Sequence, residues 1–116
     1  MAFRFEDLQV WQKAIDLDEQ INQLTKTFPK EEVFVLTSQI KRAADSVVLN
    51  IAEGSTGQSK AVFKLFLNYS LRSAIEVVSC LFIAKRRTYI NDVLFKELYT
   101  EYEVLVKMIT ALRNSL

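Results

Sequence analysis

The chain has 116 residues, half of them hydrophobic, which suffices for one domain with its own apolar core. Its 15 basic and 14 acidic residues leave a formal charge of +1, so no global field draws the chain to nucleic acid or to an anionic membrane. Histidine is absent, which excludes Ser/His/Asp and Cys/His nucleophile systems, the Glu-x-x-His di-iron pattern and nearly all zinc sites. We therefore expect no enzymatic activity, no catalytic residue, no cofactor and no metal.

The N-terminal residues and the single cysteine predict where the protein works. The opening residues MAFRFEDLQVW carry charges where a signal peptide needs an apolar core, and the longest apolar stretch, residues 74–84, is too short to span a bilayer. One cysteine, Cys80, cannot form an internal disulfide, which fits a reducing compartment. We expect a cytoplasmic protein with no membrane contact and no small-molecule substrate.

The few helix-breaking residues divide the chain into long segments. The only proline is Pro29 and the only glycines are Gly54 and Gly57, and this spacing indicates helices. Apolar residues recur at steps of three and four through residues 10–28 and again through 36–51, as on the buried side of an amphipathic helix. A first helix is predicted over about residues 7–27 and a second over about 33–53, where Gly54 ends it in the usual C-terminal position.

The second half of the chain predicts two more helices. Ser59 can cap a third helix over about residues 59–87, and Asn91 can cap a fourth over about 91–115. One face of the third helix carries Phe63, Leu67, Leu71, Ala74, Val78 and Leu81, while Phe66, Tyr69, Ile75, Phe82 and Ile83 occupy other directions. A helix in a small bundle should keep a polar outer stripe, so this excess apolar surface predicts contact with another subunit.

Short connections between four long helices predict the fold class. Residues 1–116 are expected to form a single all-α domain, an antiparallel up-down-up-down four-helix bundle. The halves differ in charge, because residues 1–58 hold 6 basic and 9 acidic side chains whereas residues 59–116 hold 9 and 5. Such a charge dipole suits head-to-tail self-association as well as a basic surface.

A polar stripe runs along the second helix and has polar partners on the third. Folding the hairpin at Gly57 brings Arg42 within reach of Glu76, so we predict a buried ion pair between them within a structural network that sets helix register. The predicted members of this network are Arg42, Ser46, Asn50, Glu53, Ser73 and Glu76. Glu76→Ala should then destabilise the fold more than the surface substitution Glu103→Ala, because it would strand Arg42. The alternative takes Glu53 and Glu76 as paired carboxylates, but the antiparallel hairpin separates them by about four helical turns.

Basic residues near the two ends of the third helix are candidates for nucleic-acid contacts. They are Lys60, Lys64, Lys85, Arg86 and Arg87. The last three close the helix, where positive charge complements the helix dipole. Repeated around a ring of subunits, the five charges would form a basic surface that one chain lacks.

Several segments together resemble a known family. They are FEDLQVWQKA, FPKEEVFVLTSQIKRAADS, NIAEG and the glutamate in SLRSAIEV, and the chain resembles the bacterial 23S rRNA intervening-sequence proteins from Phe5 to about Leu112. The family's characteristic positions match Leu36, Gln39, Arg42, Ala43, Ser46, Asn50, Ile51, Ala52, Glu53, Gly54 and Glu76. The chain departs from the family at Val35, where relatives commonly have glycine, and at Gln58, where many have arginine.

The resemblance implies a left-handed up-down-up-down bundle, often assembled as a homopentameric ring in the cytoplasm, with no known enzymatic activity. A related branch is similar to the accessory variability proteins of diversity-generating retroelements, which are basic pentameric bundles that bind nucleic acid and a reverse transcriptase. We therefore expect a non-enzymatic oligomeric scaffold or adaptor. The alternative is an accessory protein that binds RNA or DNA, with a reverse transcriptase as a partner, through basic residues displayed around a ring.

Overall fold

Four α-helices form the fold in the computed structural model, which describes residues 2–116. The helices are α1 (Gln9–Thr25), α2 (Leu36–Gly54), α3 (Lys60–Arg86) and α4 (Asp92–Ser115). Two short 3-10 turns, Arg4–Asp7 and Lys30–Glu32, precede α1 and α2. Residues 2–116 contain no β-strand. The predicted all-α four-helix bundle is confirmed.

The starts of α3 and α4 have side-chain caps. Ser59 Oγ accepts a hydrogen bond from the Val62 N–H at 3.1 Å, and Asn91 Oδ1 accepts one from the Leu94 N–H at 2.8 Å. The predicted span of α1 extends two residues beyond the observed helix at each end, and α2 begins three residues later than predicted. Asp7 belongs to a 3-10 turn, and residues 26–27 and 33–35 form turns. At the end of α1 the Thr27 hydroxyl donates to the Leu24 carbonyl, which satisfies an acceptor of the last turn.

Each helix packs against the next one along the chain, and α1 also contacts α4. The molecule is elongated along the helices, with extents of 43 × 23 × 23 Å. The contacts between α2 and α3 are the most extensive, whereas those between α1 and α4 are the fewest among the four neighbouring pairs. One side of the bundle, between α1 and α4, is therefore comparatively open.

The core consists of the apolar faces that the periodicity predicts. Ile21, Ile40, Leu67 and Ile109, one from each helix, are fully buried. By length and composition alone α3 is apolar enough to cross a bilayer. A core helix of a bundle meets the same criterion, and α3 contributes nine buried residues to the interior.

Gly54 allows α2 and α3 to approach closely at the hairpin end. A Cβ atom at this position would lie 2.7 Å from Phe66 Cβ and 3.0 Å from a ring carbon of Phe63. Gly54 is the last helical residue, and Ser55, which follows it, has a φ of −81°. The left-handed glycine lies three residues further on, at Gly57 with a φ of 86°. Gly54 thus ends α2 as predicted, and the reason for a glycine there is the close packing against α3.

Candidate functional site

A half-buried polar cluster joins the middle of α2 to α3. Ser73 Oγ donates to Ser46 Oγ at 2.9 Å, and Asn50 Nδ2 donates to the Ser46 carbonyl and hydroxyl at 2.8 and 2.9 Å. The fully buried Ser70 hydroxyl donates to the Val47 carbonyl at 2.8 Å. The bonds from Ser70 and Ser73 cross from α3 to α2, whereas both Asn50 bonds lie within α2. A shift of α2 along α3 would therefore leave the two serine hydroxyls of α3 without these acceptors.

The predicted ion pair between Arg42 and Glu76 does not form. Glu76 accepts a hydrogen bond from Gln39 Nε2, whereas Arg42 is exposed and pairs with no carboxylate within residues 2–116. Each four-residue step on an α-helix advances about 40° around its axis, so Ser46 and Asn50 turn towards α3 while Arg42 turns to water. The buried ion pair was a wrong prediction, and the guanidinium avoids the cost of desolvation.

Glu53 takes no part in the cluster of Ser46, Asn50 and Ser73. It is exposed near the C-terminal end of α2. His, Cys, Asp and Glu side chains form no group of three or more that could hold a metal ion in the part of the chain described. The polar stripe of α2 therefore has an inner part, Ser46 and Asn50, that faces α3. Its outer part, Arg42 and Glu53, faces solvent.

The five basic candidates do not form one patch on a single chain. Lys60 and Lys64 begin α3, and Lys85 lies about 38 Å further along the same helix. Lys85 Nζ is 3.9 Å from Asp92 and lies 4.5 Å from the centre of the Phe95 ring. Arg87 forms an ion pair with Glu32. Of the three basic side chains at that end, Arg86 is the one that is exposed without an ion pair within residues 2–116.

Sequence analysis missed a buried carboxylate at the end of the bundle where α1 and α3 finish. Glu32 accepts hydrogen bonds from the Tyr89 hydroxyl at 2.7 Å, from Arg87 Nη1 at 3.0 Å and from the Leu36 N–H at 3.4 Å. The bond from Tyr89, together with those from Leu36 and Arg87, outweighs burial and lowers the pKa of Glu32. Glu32 thereby ties the α1–α2 connection to the α3–α4 connection and satisfies the first amide of α2.

Two carboxyl groups, Asp18 on α1 and Asp45 on α2, lie close together between the two helices. Asp18 and Asp45 line a cavity of about 300 Å³, together with Glu19 and Lys41. Burial, a hydrogen bond to Asp45 and repulsion from Asp45 and Glu19 raise the pKa of Asp18 to about 7. Two carboxyl groups can share a hydrogen bond only when one is protonated. Near neutral pH this pair is a titratable link between two helices, and the sequence pattern did not reveal it.

An open groove follows the α1 and α4 side of the bundle near the Glu32 end. This α1–α4 groove has a volume of about 640 Å³. Its apolar base is formed by Leu24, Tyr89, Ile90, Leu94 and Leu98, and its exposed polar edge by Asp16, Glu19, Gln20 and Gln23. The groove exists because α1 and α4 make fewer contacts than the other neighbouring pairs.

The outer face of α3 carries the excess apolar surface. The exposed side chains, named here the α3 stripe, are Leu65, Tyr69, Ile75, Phe82 and Ile83, each between 39% and 61% exposed. The Phe82 ring packs edge-on against the Phe95 ring at 4.9 Å, which holds Phe82 in place at the surface. Arg72 and Arg86 are exposed on the same helix. Of the side chains predicted to point away from the core, only Phe66 is half-buried.

Comparison with known proteins places the chain in a family. The sequence profile of the 23S rRNA-intervening sequence proteins matches residues 6–111. A crystal structure of a protein of unknown function from the S23 ribosomal protein family of Bacteroides thetaiotaomicron VPI-5482 is similar, with a TM-score of 0.83 and 27% sequence identity over 90% of this chain and 97% of that chain. No curated protein matches the sequence significantly. Because the profile spans nearly the whole bundle, the chain belongs to the 23S rRNA-intervening sequence protein family.

Proposed function

We propose that this protein is a non-enzymatic, self-associating scaffold or adaptor of the cytoplasm. The observation that carries the proposal is the α3 stripe, in which Ile75 is 61% and Phe82 52% exposed. Burying apolar surface is favourable by about 25 cal/mol per Å². A rigid helix that presents this much apolar surface gains free energy when a partner covers it.

The polar cluster supports a structural role for the interior. Ser46, Asn50, Ser70 and Ser73 direct their hydrogen bonds to one another or to the backbone. The hairpin register that they maintain keeps the outer face of α3 in a defined orientation. A rigid surface of this kind loses little conformational entropy on association. The family resemblance implies five copies as the size of the assembly.

Molar mass measurements on two phenylalanine variants test the proposal. Phe82→Ser should shift the mass by light scattering from a multiple of 13.4 kDa towards that value, because it removes the largest apolar side chain of the stripe. Phe34→Ser is the control, since Phe34 is 93% exposed but lies before α2, outside the stripe. A wild-type mass of 13.4 kDa, or equal dissociation of both variants, would contradict the proposal.

The alternative function is binding of RNA or DNA, with a reverse transcriptase as a partner. On one chain its candidate residues are split between the two ends of α3, and Lys85 and Arg87 contact carboxylates. Binding would therefore depend on a ring that brings Lys60, Lys64 and Arg86 of several copies together. The scaffold proposal predicts no binding of mixed RNA and DNA fragments at low salt. Affinity that collapses as salt is added would favour the alternative.

A further inference from the structure

We infer that copies of this chain join head to tail, with the α3 stripe of one copy seated in the α1–α4 groove of the next. The inference rests on the proposed self-association and names the two surfaces that form it. The groove has an apolar base within a volume of about 640 Å³, and the stripe is an exposed apolar surface on the outer face of α3.

The two surfaces lie on different sides of the bundle. α3 packs beside α2 and α4 and lies diagonally across the bundle from α1. A copy whose stripe occupies a neighbour's groove still presents its own groove to a further copy. Such a heterologous contact repeats until the assembly closes into a ring or continues as a filament. A two-fold dimer would require the same patch to serve on both copies.

The surfaces correspond in length and in apolar character. The α1 edge of the groove runs from Asp16 to Thr27, and the upper part of the stripe with its two flanking arginines runs from Arg72 to Arg86. The first segment spans 12 positions and the second 15, so they extend about 17 Å and about 21 Å. The base of the groove supplies buried or half-buried leucines, and the stripe supplies apolar side chains that remain 39% to 61% exposed in the single chain.

The charges are complementary. Between residues 14 and 25 α1 carries three acidic side chains and no basic one, and Asp16 and Glu19 stand at the exposed edge of the groove. The exposed charges on the middle and end of α3 include Arg72 and Arg86. Opposite charges across an interface speed association and reject wrong orientations. The charges of the two halves of the chain agree with this arrangement, because the half that contains α1 is net acidic and the half that contains α3 is net basic.

Charge reversal on each surface tests the inference. Arg72→Glu with Arg86→Glu, and separately Asp16→Lys with Glu19→Lys, should each raise the dissociation constant of self-association by about tenfold or more. Lys107→Glu, an exposed position on the outer face of α4, is the control and should leave it unchanged. All these side chains are exposed, so thermal melts should show the fold intact.

Combining all four reversals in one chain provides the decisive variant. Each contact then joins glutamates on α3 to lysines on α1, and self-association should return towards the wild-type strength. Wild-type association that neither double variant weakens would overturn the inference, as would a combined variant that stays dissociated. A wild type that is monomeric at every concentration would instead overturn the proposed function itself.

Discussion

Glu32 holds together the end of the bundle where α1 and α3 finish, so we expect the stability of the fold to depend on it. Glu32→Ala would leave the Tyr89 hydroxyl and the Arg87 guanidinium without their acceptor and would uncap α2. We expect the melting temperature to fall by roughly 5 °C or more. The neighbouring Glu31 is exposed, so Glu31→Ala is a matched control that should leave the melting temperature within about 1 °C. Equal melting temperatures for the two variants would contradict this role of Glu32.

The sequence predicts some of these single-residue contacts and not others. Ser46, Asn50 and Ser73 could be placed together because helical periodicity puts them on facing sides of a hairpin. Arg42 was misplaced because small angular steps around α2 decide whether a side chain faces α3 or water. The expectation that Glu76→Ala would strand Arg42 falls for the same reason.

Glu32 and Tyr89 show a different limit of sequence analysis. They are separated by 57 positions, and neither carries a local pattern that predicts their hydrogen bond. Their contact follows from how the α1–α2 and α3–α4 connections meet at one end of the bundle. Only the packed structure specifies that meeting, so no spacing within a single helix could have revealed it.

At the scale of helices, the Asp18 and Asp45 pair makes the link between α1 and α2 depend on pH. The folded protein raises the pKa of Asp18 from its ordinary 3.8 to about 7, so folding takes up a proton between these values. Stability is therefore lost as the pH rises through this window, and the loss is complete above it. Glu19 and the Asp45 carboxylate oppose ionisation of Asp18, whereas Lys41 favours it.

Asp18→Asn should remove this pH dependence while keeping a side chain that can donate to Asp45. Because Asp18 is only partly buried, solvent screens the effect, and we expect a rise in melting temperature of about 3 °C near pH 8. The difference from the wild type should nearly vanish at about pH 3, below the ordinary pKa of 3.8, where the carboxyl group is mostly protonated in the unfolded chain as well as in the folded one. Thermal melts at the two pH values measure this. Glu103→Gln, at an exposed site on α4, is the control and should leave the melting temperature unchanged at both pH values. An Asp18→Asn effect of the same size at both pH values would refute the link.

The existence of all four helices could be predicted, but not the details between them. Apolar residues that recur every three or four positions, with helix breakers at Pro29 and Gly57, define the helices and their order. The carboxyl pair between α1 and α2 could not be predicted, because Asp18 and Asp45 belong to the polar faces of their helices. Whether two such faces meet at an edge depends on the rotation of each helix in the bundle.

At the scale of the whole molecule, the bundle carries an apolar face and an apolar groove on different sides. The sequence predicted the first, since α3 has more apolar residues than a core of this size can bury. It could not predict the α1–α4 groove, because that groove arises from how loosely two helices pack. The two surfaces together motivate the head-to-tail association proposed above.

Sedimentation equilibrium of the wild-type chain over a range of concentrations tests self-association most directly. The account predicts a molar mass that rises with concentration to a fixed multiple of 13.4 kDa, because a closed ring has a defined number of copies. A mass of 13.4 kDa at every concentration would contradict it, and the α3 stripe would then need a different partner.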